Sequence, residues 1–148
     1  MKSRVSILIH RTLAEVFPFV ANFENQSQWQ SATIRNTQLT PGPMCVGAQC
    51  RHVGKWLGRN YESVGEVIEY EPDRQWGYKS LSGPYDLVMH YRFEPVGDDT
   101  RLTMDVEGDT KGFFGFFKFA EPLVARAGEK LLNDDLARLK KVLESKKT

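Results

Sequence analysis

Few residues in this chain have both the type and the spacing for chemistry. The three histidines, His10, His52 and His90, stand far apart, and none belongs to an HExxH or comparable metal-binding pattern. The phosphate-cradling run GxxxxGK followed by Ser or Thr is absent, and no nucleophile motif is visible. Cys45 and Cys50 lie five apart, on a loop and the strand it enters, and form neither a disulfide framework nor a metal spacing with histidine. What remains is a set of polar and aromatic residues at alternating positions, one carboxylate in an apolar stripe, and one run of phenylalanines.

His52 shares a strand face with Cys50 and Trp56. It is either a core or rim histidine bonded to backbone, or a polar contact for a ligand, or an acid/base group for an enolisable substrate. Cys50 reads as a small buried hydrophobe, because no helix N-terminus or cation is evident to lower its pKa. Trp76, Tyr78 and Tyr91 each bring an apolar ring with a polar tip that needs a partner when buried. In a filled core they are packing; in a hollow one they orient a ligand.

The elements that hold these residues follow from periodicity. Val5, Ile7 and Ile9 alternate with polar neighbours as a first strand. Thr12 and Glu15 have capping-box spacing, with Leu13, Val16, Phe17 and Val20 behind them at helical spacing and Pro18 shortening or kinking that helix. The polar stretch Asn22 to Gln30 is a second short helix ending near Trp29, a large aromatic that plugs the core.

From Thr33 the pattern turns to alternating runs with turn signals between them: Thr33 to Leu39, Ala48 to Leu57, Asn60 to Glu71, and a run through Trp76, Tyr78 and Ser80. Gly54 and Gly58 mark bulges or a sharp bend. In the two clearest strands, Leu87, Met89, Tyr91 and Phe93 oppose Asp86, His90, Arg92 and Glu94, and Leu102, Met104 and Val106 oppose Arg101, Thr103, Asp105 and Glu107. One wet face and one covered face is the antiparallel signature.

Glu121 to Glu144 then forms a long amphipathic helix, with Val124, Gly128, Leu131, Leu132, Leu136, Leu139, Val142 and Leu143 on one stripe. Asp135 falls inside that stripe. A buried unpaired carboxylate is expensive, so Asp135 must be bonded, protonated or wet. It is a structural anchor or a group at a polar cavity end. Upstream, Phe113, Phe114, Phe116, Phe117 and Phe119 cluster between Lys111 and Lys118. They are the first turns of the helix, or a lid that admits an apolar ligand or touches a membrane or partner.

Strands followed by a helix give an α+β class, and 148 residues make one domain, 1–148, with no repeat or linker. A net charge of +1 offers no electrostatic case for nucleic acid. The apolar start is too short for a signal segment or a membrane span, which fits a cytoplasmic protein with free thiols. Nothing in the chain calls for a cofactor or metal.

The order of these motifs resembles the START-like, or SRPBCC, superfamily over nearly the whole chain. It rests on the strand and capping box of Val5 to Val20, on Trp29, on Gly65-Glu66-Val67 with Glu71-Pro72, and on Tyr91-Arg92-Phe93-Glu94. It continues through Thr100-Arg101-Leu102-Thr103 and the ending Asp135-Leu136-Ala137-Arg138-Leu139-Lys140. Within the superfamily the chain looks most like bacterial polyketide cyclase/dehydrase-like proteins.

The resemblance implies a helix-grip fold, a curved antiparallel sheet of six or seven strands around the C-terminal helix, with a cavity between them. The expected occupant is a small apolar molecule: a lipid, an isoprenoid or an aromatic polyketide-like compound. Its expected contacts are Cys50, His52, Trp56, Trp76, Tyr78, Leu87, Met89, Tyr91, Met104, Phe116, Phe117, Leu132, Asp135 and Leu136. Two alternatives stand beside this reading: cyclisation or dehydration of such a ligand, with His52, Asp135 or a tyrosine moving protons, and a protein-interaction module built on the Phe-rich segment. A space of about 300–1,000 Å³ lined by Trp76 and Tyr91 is the corresponding structural expectation.

Overall fold

A computed structural model describes residues 2–56, 58–110 and 121–146. Seven strands form one antiparallel sheet: β1 (Lys2–Ile9), β2 (Thr33–Gln38), β3 (Gln49–Trp56), β4 (Arg59–Glu71), β5 (Gln75–Ser82), β6 (Tyr85–Val96) and β7 (Asp99–Thr110). Their spatial order is β1-β7-β6-β5-β4-β3-β2, so β2 to β7 run as a meander and β1 closes onto β7. Consecutive strands β1 and β2 therefore sit at opposite edges. Helix α1 (Leu13–Val20) and a 3-10 turn (Phe23–Gln28) make the connection between them.

The sheet is curled into a half-barrel. Register shifts lie between Thr33 and Arg35 in β2, and between Val64 and Gly65 and between Val67 and Glu69 in β4. Such irregularities increase local twist and bend the strand. The β3–β4 connection is tight, with Trp56 paired to Arg59 and Gly58 at φ +77°. The inner face carries the alternation expected of it: Met89, Tyr91 and Phe93 in β6 and Leu102, Met104 and Val106 in β7 are buried.

Helix α1 lays Val16, Phe17, Phe19 and Val20 inward, and the Phe17 ring meets Phe93 at 4.9 Å and Tyr70 at 5.7 Å. Thr12 is its N-cap, but its side chain makes no capping bond, and Glu15 turns instead to Arg11 at 3.5 Å. The capping box read from the sequence is thus not formed. Pro18 sits inside this helix, which ends after 8 residues.

Helix α2 (Glu121–Ser145) packs along β1. Leu136, Leu139 and Leu143 are buried, and Leu131, Leu132 and Val142 are half-buried, so the stripe deepens toward the C-terminus. That end is fastened to the close of β1. Arg11 donates to the carbonyls of Leu143 (3.0 Å), Glu144 (2.9 Å) and Lys146, which supplies partners and positive charge to the last turn. Lys140 donates to the Leu8 carbonyl at 2.8 Å. Among the described residues, no helix is long and apolar enough to cross a membrane.

Candidate functional site

Asp135 is buried beneath the loop that follows the 3-10 turn. The Ser31 backbone N–H donates to its Oδ1 at 3.0 Å, and Arg138 donates to the same oxygen at 3.3 Å. Arg138 also donates to the Trp29 carbonyl at 3.1 Å, so one helical turn of α2 holds both ends of residues 29–31. Burial raises the Asp135 pKa, and the Ser31 and Arg138 contacts oppose that rise. These partners fit the anchor of the two roles weighed for Asp135.

Trp29, seated by that clasp, is fully buried and meets the Tyr91 ring edge-on at 6.4 Å. Tyr91 stacks on Trp76 at 4.8 Å, and Trp76 in turn meets Phe23 at 5.4 Å. Trp76 and Tyr91 are both 0% exposed. Instead of bounding an open space they form a packed aromatic plug, together with the buried Met89, Met104 and Leu136. Leu87 and Leu132 pack on its margin, half-buried. Burial pushes the Tyr91 hydroxyl pKa up, while the Gln30 amide, donating to it at 3.3 Å, pulls the other way.

Beside the plug, the inner faces of β2 to β6 line a partly open cavity of about 10 Å³. That is room for one water-sized group. Its lining comes from Asn36 on β2, Cys50 and His52 on β3, and Ser63, Val64 and Gly65 on β4. Tyr78 and Ser80 on β5 and Tyr85 on β6 complete it. No described residue of α2 contributes. Three of the residues expected from the sequence, Cys50, His52 and Tyr78, thus meet at one place. The Trp56 side chain, Phe116 and Phe117 lie outside the described residues.

Register explains the convergence. Asn36 pairs with His52, and His52 pairs with Ser63, so these three side chains form a row across β2, β3 and β4. Gly54 pairs with Tyr61, and a Cβ on Gly54 would collide with the Tyr61 ring carbon that bears the hydroxyl. The missing side chain lets the Tyr61 ring cross β3, where it lies 5.6 Å from His52 and 5.6 Å from Tyr85. Tyr61, Ser63, Ser80, Tyr85 and Asn36 were not singled out in the sequence. Tyr85 continues the Leu87–Met89–Tyr91 alternation by one step, and Tyr61 and Ser63 continue the phase of Gly65 and Val67, so the signal was present.

Among the described residues, the chemistry of the cavity is uncharged. Burial lowers the His52 pKa to about 4, which leaves the imidazole neutral at physiological pH. Burial likewise raises the Cys50 thiol to about 11, although contacts with the Gly65 backbone and Asn36 partly offset it. Burial raises the phenols of Tyr61, Tyr78 and Tyr85 as well. Ser63 and Tyr85 share a hydrogen bond of 3.3 Å, and Tyr78 donates to the Met89 sulfur at 3.1 Å. Among the described residues, no group of three His, Cys, Asp or Glu side chains is placed to hold a metal ion.

Residues 1–144 match the family model described as polyketide cyclase / dehydrase and lipid transport. The chain belongs to that family. Its fold is similar to the TTHA0849 protein of Thermus thermophilus, with a TM-score of 0.83 at 14% identity, covering 98% of each chain. The Zhui aromatase/cyclase from Streptomyces sp. R1128 superposes with a TM-score of 0.79 at 14% identity, over 97% of this chain and 93% of that one. A START superfamily protein from Mycobacterium smegmatis gives 0.73 at 19% identity, over 97% and 94%. A search of curated proteins finds no match. The helix-grip architecture read from the sequence is the one observed.

Proposed function

We propose that this family member binds a small, neutral, largely apolar molecule on the inner face of the sheet, at the cavity beside the aromatic plug. The observation that carries the reading is the character of that lining. Among the described residues, rings and hydroxyls converge there without a single ionised side chain, which suits a ligand with an apolar frame and a few oxygen atoms. A charged ligand would find no counter-ion and would lose its hydration.

The small, partly open space takes only the tip of such a molecule. Tyr61, Tyr85 and His52 are half-buried rings at its margin, and they are the groups a ligand body would displace. Binding is favoured over cyclisation because proton transfer wants a base whose pKa lies near the working pH. His52, at about 4, is far below it. Of the wider contact set expected from the sequence, the half-buried Leu87 and Leu132 and the Trp56 side chain, Phe116 and Phe117 remain part of this proposal, whereas the packed Trp76, Tyr91, Met104 and Leu136 and the clasped Asp135 do not.

The test uses N-phenyl-1-naphthylamine, a neutral apolar dye that brightens in a dry environment. The folded protein should bind it in the micromolar range. Gly65→Val should weaken that binding at least about fivefold, because a Cβ at Gly65 already stands 3.4 Å from the Cys50 sulfur and 3.5 Å from the Tyr78 ring. No dye binding to the folded wild type would remove the ligand-binding reading. Equal binding by the Gly65 variant would move the site elsewhere.

A further inference from the structure

The cavity beside the plug, at about 10 Å³, is far smaller than an apolar ligand, so part of its wall must move before one can enter. Most of that wall is fixed. Asn36, Cys50 and Ser63 are buried within the paired strands β2, β3 and β4. Of the three half-buried rings at the margin, His52 is tethered to the Thr33 hydroxyl at 2.8 Å. Tyr85 shares a hydrogen bond with Ser63 at 3.3 Å, and its strand is pinned beneath it. The Ser80 hydroxyl donates to the Tyr85 carbonyl at 3.1 Å and accepts from the Leu87 N–H at 2.8 Å.

Tyr61, the third, is placed differently. It pairs with Gly54, and its ring lies across β3 over that glycine. A Cβ on Gly54 would stand 2.4 Å from the ring carbon that bears the hydroxyl and 2.5 Å from the hydroxyl oxygen. The ring rests on His52, tilted by 47° at 5.6 Å, and on Tyr85, edge-on at 5.6 Å. A hydrogen bond joins the Tyr61 and Tyr85 hydroxyls. Both partners line the cavity, whereas Tyr61 does not line it and is itself half-buried. It thus stands between two lining rings and the solvent. Side-chain rotamers are discrete, so a ring that leaves Gly54 swings clear of β3 instead of shifting by degrees.

We propose that Tyr61 is the gate of the cavity: closed, its ring lies over Gly54 and latches on the Tyr85 hydroxyl, and open, it swings off β3 and clears a passage between His52 and Tyr85 for an apolar ligand. Gly54 is the positioning residue of this gate, because its missing Cβ is what permits the closed position. Entry runs past β3, β4 and β6 and not past α2, none of whose described residues lines the cavity. The inference rests on the ligand-binding reading above and adds to it the route by which a ligand enters.

Cys50 reports on the gate without any ligand. It lines the cavity and is 1% exposed, and Cys45→Ser leaves it as the one thiol of the chain. Methyl methanethiosulfonate is a small neutral reagent; a thiolate attacks its sulfur, forms a mixed disulfide and releases methanesulfinate. In the Cys45→Ser background it should modify Cys50 at least about tenfold faster when Tyr61→Ala is added. Gly54→Ala, which wedges the ring off β3, should also speed the reaction, and should add nothing once Tyr61 is replaced by alanine. Denaturant unfolding of each variant sets the reference. An unchanged rate in Tyr61→Ala, or an acceleration no larger than its loss of stability accounts for, overturns the gate.

Stopped-flow mixing with N-phenyl-1-naphthylamine carries the test to a ligand. Removing a gate speeds entry and exit alike, whereas removing a wall contact speeds exit alone. Tyr61→Ala should therefore raise both rate constants at least about tenfold over wild type. Faster exit with unchanged entry makes Tyr61 a wall, which overturns the gate and leaves ligand binding standing. Absence of dye binding by the wild type overturns the ligand-binding reading, and the thiol rates then decide the gate by themselves.

Discussion

Replacing Asp135 tests whether helix α2 carries the polar clasp that seats Trp29. In Asp135→Ala the Ser31 N–H loses the oxygen it donates to, and Arg138 keeps only the Trp29 carbonyl. A hydrogen bond to a charged group is worth about 1.5–3 kcal/mol, and the Arg138 ion pair adds little because that side chain is 44% exposed. The expected loss is about 3 kcal/mol. At about 3 °C per kcal/mol for a domain of this size, Tm should fall by roughly 9 °C.

Asp135→Asn separates the bond from the charge. Its side-chain oxygen can still accept from Ser31, and the buried charge is gone, so the expected loss is only about 0.5–1 kcal/mol at neutral pH. The raised Asp135 pKa adds a pH signature. A carboxyl whose folded pKa lies above its unfolded value contributes stability that is present below the unfolded value and is lost as pH rises through the folded one. Wild type should therefore gain on Asp135→Asn as pH is lowered through that window. Denaturant unfolding at several pH values provides the comparison. Equal losses for the alanine and asparagine variants, or a loss below about 0.5 kcal/mol in the alanine variant, would refute the anchor.

Two further outcomes follow from burial on the inner face. The His52 pKa is depressed to about 4 from an ordinary 6.5, so its contribution to stability is present above pH 6.5 and is lost as pH falls toward 4; His52→Gln should flatten that part of the stability profile, and an unchanged slope would place the ring in water. Cys45 is exposed, whereas Cys50 is 1% exposed with its thiol pKa at about 11. At about pH 8 a thiol reagent should titrate one cysteine quickly and the second only on unfolding, and two fast equivalents would contradict the packing around Cys50.

The sequence by itself determined the α+β class and the order of strands and helices, because the signals for them are local, and the helix-grip arrangement was legible only through the family resemblance. Period-two alternation through Leu87–Phe93 and Leu102–Val106 marks the covered face of each strand, and the three-to-four spacing of Leu132, Leu136, Leu139 and Leu143 marks the covered stripe of the helix. Asp135 was conspicuous for the same reason, as a charge where the period calls for an apolar residue.

Only the tertiary structure decided which inward residues meet. Trp76 and Tyr91 had the composition of cavity walls, yet the curl of the sheet stacks them on each other and sets Trp29 against Tyr91, so their apolar area is buried against protein. His52 gained Asn36 and Ser63 as neighbours through the pairing register of β2, β3 and β4. Tyr61 reached the same place because Gly54 leaves room for a ring to cross the strand. Periodicity specifies a face. Which residues become neighbours on it depends on register, bulges and the absence of one Cβ on the strand alongside, and these are settled only when the strands pair.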